Sequence, residues 1–415
     1  MLAQVVADAP TPSEACGKPH APSWADARQL AFACAAPLGS ASVPLPEAIG
    51  SVLAHDVVAR RDIPHYASSA MDGWAISGSG PWILTPPGTP LGPGEASVIA
   101  TGGLVPEGAA AILRKESGQI TQDPSGLRQL ALRQDSTPGE TLPGRHIRPA
   151  GEEASAGDVL IPAGTRLNPA HIALAAVAGH DQVSVQRKPR VAVVLTGAEV
   201  VTSGEPRPGQ VRDTFGPQLD TVISQLGGIP AGQRRIGDSY QEWLEALAGP
   251  SADVVITTGG TGKSGTDHFR AAVGALGGHL VLDGIAMRPG HPAVLAMLPD
   301  GRFIVGLPGN PLAAMLALVT LGGPLLAALG NEPLPRAGQL TSGADFEPDP
   351  GRTRLVPCTF NHGLALPVPH TGPGMMRGLA WAHGFMAVPP EGVAAGETVP
   401  VMALPWTTQT PWRLA

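Results

Sequence analysis

The sequence predicts a multidomain α/β protein whose central part is a doubly wound parallel sheet. Between residues 188 and 330, a short apolar strand, a glycine-rich loop and a helix follow one another three times, which is the pattern of such a sheet. Short apolar segments bounded by glycine and proline fill 56–145 and return after 331, as expected of small β domains. With 415 residues, the chain is also too long for one hydrophobic core.

The same changes of pattern set the expected domain boundaries. We expect a mixed N-terminal domain that is interrupted by an inserted β module, and a C-terminal domain that resembles a β-barrel. The expected divisions are a flexible lead-in over 1–22, the N-terminal mixed domain over 23–55 plus 146–187, the inserted β module over 56–145, the α/β domain over 188–330 and the C-terminal β domain over 331–415.

Composition argues against several classes of protein. The net charge of −7 gives no electrostatic support for binding a nucleic acid. The N-terminus lacks the residue order of a secretory signal, and no span reaches the roughly 18 continuous apolar residues of a membrane helix. Cys16, Cys34 and Cys358 stand far apart, which argues against a disulfide framework and a zinc site. We expect a protein of the reducing cytoplasm that binds neither nucleic acid nor a membrane.

Three helices are predicted in the N-terminal domain from their end signals. Ser23 is a favoured N-cap for a helix over about 24–35, and Pro46 suits the first turn of another that runs to about His55. Asn168 and Pro169 mark the start of a third helix, and Gly179 marks its end. We expect this third helix to pack on the first two.

The α/β domain supplies the loops that carry chemistry. Its predicted strands are 191–195, 253–257 and 302–305, and its predicted helices are 215–226, one that follows Asp267, and 312–328. In an open α/β sheet, ligands bind outside the carboxyl ends of the strands, where each glycine loop of this domain falls.

Two of these loops suit an anion. In Gly259–Gly262, backbone N–H groups can approach an anionic group without interference from Cβ atoms, and the helix that follows adds its positive end. Asn310 and Pro311 place an N-cap and a first-turn proline after the Gly306–Gly309 loop. Glycine loops are also ordinary turns, so each loop alone leaves both interpretations open.

Two acids stand beside the loops, at Glu199 and Asp267. Asp267 opens a helix and suits a capping role, whereas Glu199 follows a strand end and suits a solvated loop. Acids that face an anion-binding loop also make sense if a divalent cation lies between them and phosphate oxygens. The neighbouring Gly262–Ser264 segment ends like a nucleotide-binding P-loop, but the required first glycine is replaced by Thr257, which disfavours an NTPase.

Two further segments stand out. Ser68–Ala75 is small, polar and glycine-containing, and by itself it is typical of a turn with Trp74 in the core. Ala286–Pro292 is a rigid loop that carries Arg288 and His291, and this pair suits either an oxyanion clamp or an ordinary hydrogen-bonded loop.

Taken together and in order, these segments resemble the MoeA-type molybdopterin molybdenumtransferase family, which includes the gephyrin E domain. The resemblance covers nearly the whole chain from about residue 24. Each motif alone is weak, but the ordered set is specific. The matching segments are Ser69–Ala75, Thr101–Gly103 with Pro106–Ala109, Arg148–Glu153, Gly157–Asp158 with Pro162–Thr165, Thr196–Glu199 and Gly306–Pro311.

The resemblance implies a central molybdopterin-binding-like domain and a homodimer with a cleft between protomers. It implies magnesium-dependent hydrolysis of adenylylated molybdopterin, coupled to molybdate insertion and AMP release, with a pterin-adenylylating protein as a further partner. The implied functional positions are Asp72, Thr101, Glu153, Glu199, Asp238, Asp267, Pro308 and Pro311, with Met71 in the Ser69–Ala75 motif.

The resemblance also suggests roles for these residues. Glu199 and Asp267 would hold magnesium and the adenylate phosphate, and Arg288 and His291 would hold molybdate. Asp72 and Thr101 would close the cleft from the partner protomer. The pterin phosphate would contact the glycine loops through Gly259, Gly260, Thr261, Lys263, Ser264, Gly309 and Asn310.

Several positions depart from the family pattern. Ala198 replaces an acid, Glu153 replaces an aspartate, and Arg288 and His291 stand where the family usually has lysines. A serine expected near 373–374 is also missing. The departures leave open a second interpretation, a catalytically weakened paralogue that binds or delivers the pterin or the finished cofactor.

Overall fold

A computed structural model describes residues 21–123, 126–237, 239–262 and 268–407. By its internal contacts, the chain divides into two compact units. One is Ser40–Gln186, called here the 40–186 unit. The other consists of the residues before and after it and is called here the discontinuous unit.

The 40–186 unit is dominated by a six-stranded sheet. Its strands are antiparallel except for one parallel pair, Trp82–Thr85 with Glu95–Ile99. Both faces of this sheet bury apolar side chains: Ile76, Trp82, Leu113 and Leu130 belong to one core, and Ile112 belongs to a second. The strand order is Ala111–Arg114, Gly73–Ile76, Glu95–Ile99, Trp82–Thr85, Arg128–Leu132 and Gly118–Gln122.

Three two-stranded ladders and one helix complete this unit. The helix begins at Pro169 and ends at Val177, and the Asn168 side chain accepts a hydrogen bond from the N–H of His171, which confirms the predicted start. Its apolar face packs on the 3₁₀ turn Leu45–Glu47 and nearby strands. The ladders pair Ser40–Pro44 with Gln182–Gln186, Val57–Val58 with Val159–Ile161, and Ser68–Ser69 with Ile147–Arg148.

The predicted helix from Pro46 to His55 was wrong. Only the short 3₁₀ turn Leu45–Glu47 forms, and Gly50 then takes a φ of +77°. Val52 and Leu53 go on to make bridges to Arg166 and Val185. Proline suits the first turn of either a helix or a tight turn, so the signal at Pro46 did not distinguish them.

The predicted doubly wound sheet is confirmed in the discontinuous unit. Its three expected strands are Arg190–Leu195, Val254–Thr258 and Phe303–Leu307, and they lie side by side and parallel. Ile229–Arg235 extends the parallel part of the sheet on one side. On the other side, Val294–Met297 lies antiparallel to Phe303–Leu307, and His279–Asp283 lies antiparallel to Val294–Met297. The full order is Ile229–Arg235, Arg190–Leu195, Val254–Thr258, Phe303–Leu307, Val294–Met297 and His279–Asp283.

Helices cover both faces of this sheet. Val193 and Ile256 face a core formed with one group of helices, whereas Val194 and Val255 face a second core. The helices of the first group are Trp24–Ala33, Gly216–Gln225, Pro311–Ala317 and Gly323–Leu329, the last two joined by the π-helical turn Leu318–Gly322. The helices of the second are Tyr240–Ala248 and His268–Ala275.

The predicted C-terminal barrel is also confirmed. Five strands close on themselves because Thr353–Asn361 pairs both with its hairpin neighbour and with Gly384–Val388. The short helix Arg377–Trp381 precedes the latter strand, and Met287–Arg288 adds a short parallel pairing. The barrel strands are Gly338–Ser342, Thr353–Asn361, Leu364–Pro367, Gly384–Val388 and Thr398–Ala403. A further short parallel ladder pairs Val200–Val201 with Val211–Arg212.

The helix Trp24–Ala33 forms as predicted, with Ser23 as its N-cap, but its neighbours differ from the expectation. It belongs to the discontinuous unit, where the Trp24 indole N–H donates to the Thr320 hydroxyl at 3.1 Å. Ala27 and Ala31 are fully buried in the same core. Its placement with the helix Pro169–Val177 was therefore wrong, because contacts between distant segments decide its position.

The helical stretch Pro311–Leu329 is long and apolar enough for a membrane helix by length and composition, although it does not contain 18 continuous apolar residues. Its 19 residues have a mean hydropathy of 2.1, which passes the length and composition test, although Thr320 and Pro324 interrupt the apolar run. The tested window is 100% buried inside the discontinuous unit. Burial on all sides is the expected state of a core helix that is apolar all round.

Candidate functional site

Three strand-end loops of the discontinuous unit meet at one edge of the parallel sheet. The Thr196 hydroxyl donates to the carbonyl of Thr258, and the N–H of Gly259 donates to the carbonyl of Leu307 at 2.8 Å. A Cβ on Gly309 would lie 3.8 Å from the Cα of Gly259. The loops after strands Arg190–Leu195, Val254–Thr258 and Phe303–Leu307 are thus in direct contact.

Glycine is required at two adjacent positions of the middle loop. Gly259 and Gly260 have φ values of +82° and +68°, which favour glycine. A Cβ would come within 2.7 Å of the Thr196 hydroxyl at Gly259 and within 2.4 Å of the Trp243 ring at Gly260. The close approach of backbone, hydroxyl and indole therefore allows no side chain at either position.

These loops present unsatisfied backbone donors. Within the described residues, the N–H groups of Gly260, Thr261, Gly309 and Asn310 donate to no protein acceptor. Asn310 is also the N-cap residue of helix Pro311–Ala317, so the positive end of that helix lies beside it. Several free N–H groups near a helix start form a site for an anionic group such as phosphate.

Arg270 connects the middle loop to a neighbouring strand. Its guanidinium donates to the carbonyl of Thr261 at 3.3 Å and to Asp283, with an Nε–Oδ1 distance of 3.0 Å. Asp283 ends the strand that leads into the loop of Arg288 and His291. Arg270 therefore anchors the glycine loop to the start of the basic loop.

A basic pocket of about 220 Å³ lies beside the same loops. Arg288 and His291 line it, as do Asn310 and Pro373. It also contains Arg352, which no motif of the sequence singled out. The structure thus brings the predicted oxyanion-binding pair together with the Pro308–Asn310 loop and adds a third basic side chain.

Hydrogen bonding fixes what His291 can offer a ligand. Its Nδ1 lies 2.6 Å from the carbonyl of Ile285, so Nδ1 carries the proton that this bond requires. Nε2 then remains for a ligand. It can donate to an oxyanion only when the ring carries both protons and is positively charged.

One acid partly offsets the positive charge near this pocket. Asp349 Oδ2 lies 3.9 Å from a guanidinium nitrogen of both Arg288 and Arg354. Arg288 keeps 67% of its side chain exposed, and the Arg352 side chain makes no hydrogen bond or ion pair with described residues. Arg288 and Arg352 can therefore still direct donors at an oxyanion.

A second group of predicted residues lies in the 40–186 unit. The backbone N–H and hydroxyl of Thr101 donate to one carboxylate oxygen of Asp72, at 2.7 and 2.9 Å. These hydrogen bonds lower the pKa of the Asp72 carboxyl, which favours its charged form. Met71 precedes Asp72 in a tight turn, where its N–H donates to the Ser69 hydroxyl at 3.3 Å.

Glu153 lines a separate pocket of about 660 Å³ in this unit. The basic side chains of Arg61, His65 and Arg148 also line this pocket, and Gly102 connects it to Thr101 in the chain. Several charged groups thus converge on one concave surface, which is typical of a binding site.

The predicted metal ligands are only partly described. Glu199 is exposed at its strand end, and its carboxylate Oε2 lies 2.9 Å from where a Cβ on Gly197 would stand. Over the described ranges, no group of three or more histidine, cysteine or acidic side chains could hold a metal ion. Four predicted site residues lie outside the described residues: Asp238, Lys263, Ser264 and Asp267.

Comparisons with known proteins cover nearly the whole chain. Residues 22–179 match the family model for the MoeA N-terminal region (domain I and II). Residues 192–328 match that for a probable molybdopterin binding domain, and residues 339–404 match that for the MoeA C-terminal region (domain IV). The fold with its three meeting loops and basic pocket therefore corresponds to a molybdopterin-binding class of protein.

Individual relatives agree with these family models. Molybdopterin molybdenumtransferase 2 of Mycobacterium tuberculosis (strain CDC 1551 / Oshkosh) is 31% identical over 88% of this chain and 95% of its own length. Molybdopterin molybdenumtransferase of Bacillus subtilis (strain 168) is 28% identical over 89% and 91%. The crystal structure of the molybdopterin biosynthesis MoeA protein from Pyrococcus horikosii aligns with a TM-score of 0.74 and 28% identity, over 92% of this chain and 98% of that one. The chain belongs to the MoeA family of molybdopterin molybdenumtransferases.

Proposed function

We propose that this protein is a molybdopterin molybdenumtransferase that hydrolyses adenylylated molybdopterin, inserts molybdate and releases AMP. One observation carries the proposal. The loops with free backbone N–H groups, which suit a phosphate, adjoin a pocket with three basic side chains, which suits an oxyanion. On this proposal, the two parts of the reaction, a phosphorylated pterin and molybdate, would bind next to each other.

The glycine loops would hold the pterin phosphate. Gly260, Thr261, Gly309 and Asn310 offer backbone N–H groups that need no rearrangement to meet phosphate oxygens. A fixed set of donors would also orient the ligand beside the basic pocket. Arg270 maintains this loop through its hydrogen bond to Thr261.

The basic pocket would hold molybdate. Arg288 and Arg352 provide permanently charged, planar donors, and His291 adds a third when protonated. Asp349 reduces the local charge, which would let the oxyanion leave the pocket when it is transferred.

Magnesium would be held jointly by the protein and the substrate. Glu199 offers one exposed carboxylate after strand Arg190–Leu195, and magnesium typically binds one or two carboxylates together with phosphate oxygens. Asp267, which lies outside the described residues, would be the second carboxylate, and Asp238, also outside them, remains a proposed catalytic residue. When bound, the ion would polarise the phosphoryl group that is cleaved. Glu199 would position it, and the loop N–H groups would orient the remaining phosphate oxygens.

The residues of the 40–186 unit would act in a homodimer. We propose that Met71, Asp72, Thr101 and Glu153 contribute to a cleft formed with a partner protomer, as the family resemblance implies. The ionised Asp72, held by Thr101, would supply a fixed negative charge there. A pterin-adenylylating protein would deliver the substrate, and the reaction would take place in the cytoplasm.

The deciding experiment uses the purified protein with adenylylated molybdopterin, molybdate and Mg²⁺. We expect release of AMP and formation of active cofactor, and we expect Arg352→Ala to weaken the apparent affinity for molybdate about 10- to 100-fold. Arg336→Ala, an exposed arginine of the same unit, is the matched control and should behave like the parent protein.

The second candidate function is a weakened paralogue that binds or delivers pterin or cofactor. Ala198 and His291, which replace an acid and a basic residue of the family pattern, favour it. Tight binding of cofactor without AMP release would select this function and reject the transferase.

A further inference from the structure

A buried charge cluster lies in the 40–186 unit behind the loop that carries Asp72. The side chain of Glu140 is 0% exposed, and both its oxygens accept hydrogen bonds from Arg114. The Arg114 Nε lies 3.1 and 3.2 Å from them, and Nη2 lies 2.7 Å from Oε1. His146 is the third member, with its Nε2 at 3.7 Å from the same Oε1.

Stability alone does not explain this cluster. Burial of an ion pair costs free energy through desolvation, and an apolar pair of similar volume is often as stable or more so. Burial raises the pKa of the Glu140 carboxyl, but hydrogen bonds from Arg114 and Ser117 and the charge of Arg114 outweigh it, so the pKa is lowered. Glu140 therefore stays ionised inside the sheet module.

The cluster joins the two backbone segments that support the Asp72 loop. On one side, Gly73 pairs with Arg114, and the N–H of Lys115 donates to the carbonyl of Asp72 at 2.9 Å. On the other side, the N–H of Ala70 donates to the carbonyl of His146 at 2.9 Å. Each support thus contacts the loop through a residue of the charge cluster or through its neighbour in the chain.

The backbone of the Asp72 loop packs tightly against the first of its two supports. A Cβ on Gly73 would come within 2.0 Å of the carbonyl oxygen of Leu113. In the second support, His146 has a φ of +59°, a left-handed conformation that residues other than glycine rarely adopt. A shift between the two supports would therefore be transmitted directly to the backbone of Met71 and Asp72.

We infer that Arg114 and Glu140 are positioning residues, which fix the separation of the two supports and so place Asp72 for its role in the site. The inference rests on the proposed function for the role of Asp72, but the placement itself can be measured without turnover. The amides of Ala70 and Thr101 report on it, because each makes a hydrogen bond with a support or with Asp72.

The test replaces the pair by an apolar one, Arg114→Met with Glu140→Met. We expect a melting temperature close to that of the parent protein, while the amides of Ala70 and Thr101 exchange hydrogen about tenfold faster. Turnover should fall about tenfold or more, with the KM for molybdate unchanged, because a misplaced group loses preorganisation and the oxyanion pocket is untouched. The matched control is Arg133→Met with Asp135→Met, an exposed pair in the turn after strand Arg128–Leu132, which should change none of these values.

Unchanged exchange at both amides in the stable apolar variant would overturn the inference, whatever the enzyme activity. If the apolar variant does not fold, Arg114→Lys decides, since it keeps the charge but loses the forked contact with Glu140. In that variant, about threefold faster exchange at the two amides supports the inference, and parental exchange rejects it. If the two amides lose protection in the variant while the parent protein has no transferase activity, the positioning role of Arg114 and Glu140 stands and only the proposed function is rejected.

Discussion

The two units present their candidate site residues in different ways. In the discontinuous unit, the loops at the ends of parallel strands offer mainly backbone N–H groups, and glycine is required where they meet. In the 40–186 unit, the loops of an antiparallel sheet offer side chains, such as Asp72, which is held by Thr101. A backbone site depends on strand order and on glycine, whereas a side-chain site depends on the neighbours that orient each group.

The largest effect expected from this contrast follows a change in the backbone site. Gly260→Ala places a Cβ 2.4 Å from Trp243 at a φ of +68°. We expect the free energy of unfolding of the discontinuous unit to fall by about 2–4 kcal/mol, from backbone strain and overpacking together. Urea unfolding followed by tryptophan fluorescence measures it.

Gly301→Ala is the control for that substitution, since Gly301 has a φ of +86° but open space around its Cβ position. It should cost only the backbone strain, about 1–2 kcal/mol. Equal losses for the two variants would show that the close contact with Trp243 does not matter.

A smaller effect is expected for the basic pocket beside the backbone site. Because Nδ1 of His291 donates to Ile285, only the doubly protonated ring can donate through Nε2 to an oxyanion. Replacing His291 by alanine should therefore weaken the affinity for molybdate about three- to tenfold, because one of the three basic side chains of the pocket is lost. Calorimetric titration with molybdate measures it.

The matched variant is His291→Gln, whose side-chain amide can donate a hydrogen bond without a charge and should recover part of the affinity. Arg288 and Arg352 provide the remaining binding in both variants. Parental affinity in His291→Ala would remove His291 from the pocket's chemistry.

The smallest effect is expected in the side-chain site. The hydrogen bonds from Thr101 lower the pKa of Asp72, so this interaction stabilises the 40–186 unit above the carboxyl's unfolded-state pKa and is lost as the pH falls through the folded-state value. Thr101→Val removes the hydroxyl but keeps the N–H. We expect the acid unfolding midpoint to rise by about a few tenths of a pH unit, as followed by circular dichroism.

Thr121→Val is the control here, because the Thr121 hydroxyl donates to a backbone carbonyl and touches no acid. Its acid midpoint should match that of the parent protein. A Thr101→Val midpoint that also stays unchanged would mean that the backbone N–H alone holds Asp72.

The contrast between the units also separates what sequence could and could not predict. The doubly wound sheet followed from local signals, because buried apolar strands and glycine loops recur within short windows. The barrel and the capped helices Trp24–Ala33 and Pro169–Val177 were likewise evident. The hydrogen-bond partner of Trp24 could not be predicted in this way, because Thr320 lies 296 positions away in the chain.

The site shows the same limit. The glycine loops and the Arg288–His291 pair were predicted from motifs, and the structure brings them into one region. Arg352 was missed because it stands in an ordinary turn and joins the pocket only through the folding of the C-terminal barrel. Glu140 gave no signal either, because a buried acid and a solvated acid look alike in sequence.

The hydrogen bond between Trp24 and Thr320 has a consequence for how the chain folds during synthesis. The opening helix completes the hydrophobic layer around Pro311–Leu329, yet the 147 positions of another compact unit, 40–186, separate it from the rest of its own unit. A fragment that starts at Arg187 would expose the apolar surface that helix Trp24–Ala33 covers on Pro311–Leu329. The fragment should therefore aggregate unless Trp24–Ala33 is supplied as a separate peptide. During synthesis, the first helix therefore cannot form these contacts until about three quarters of the polypeptide has been made.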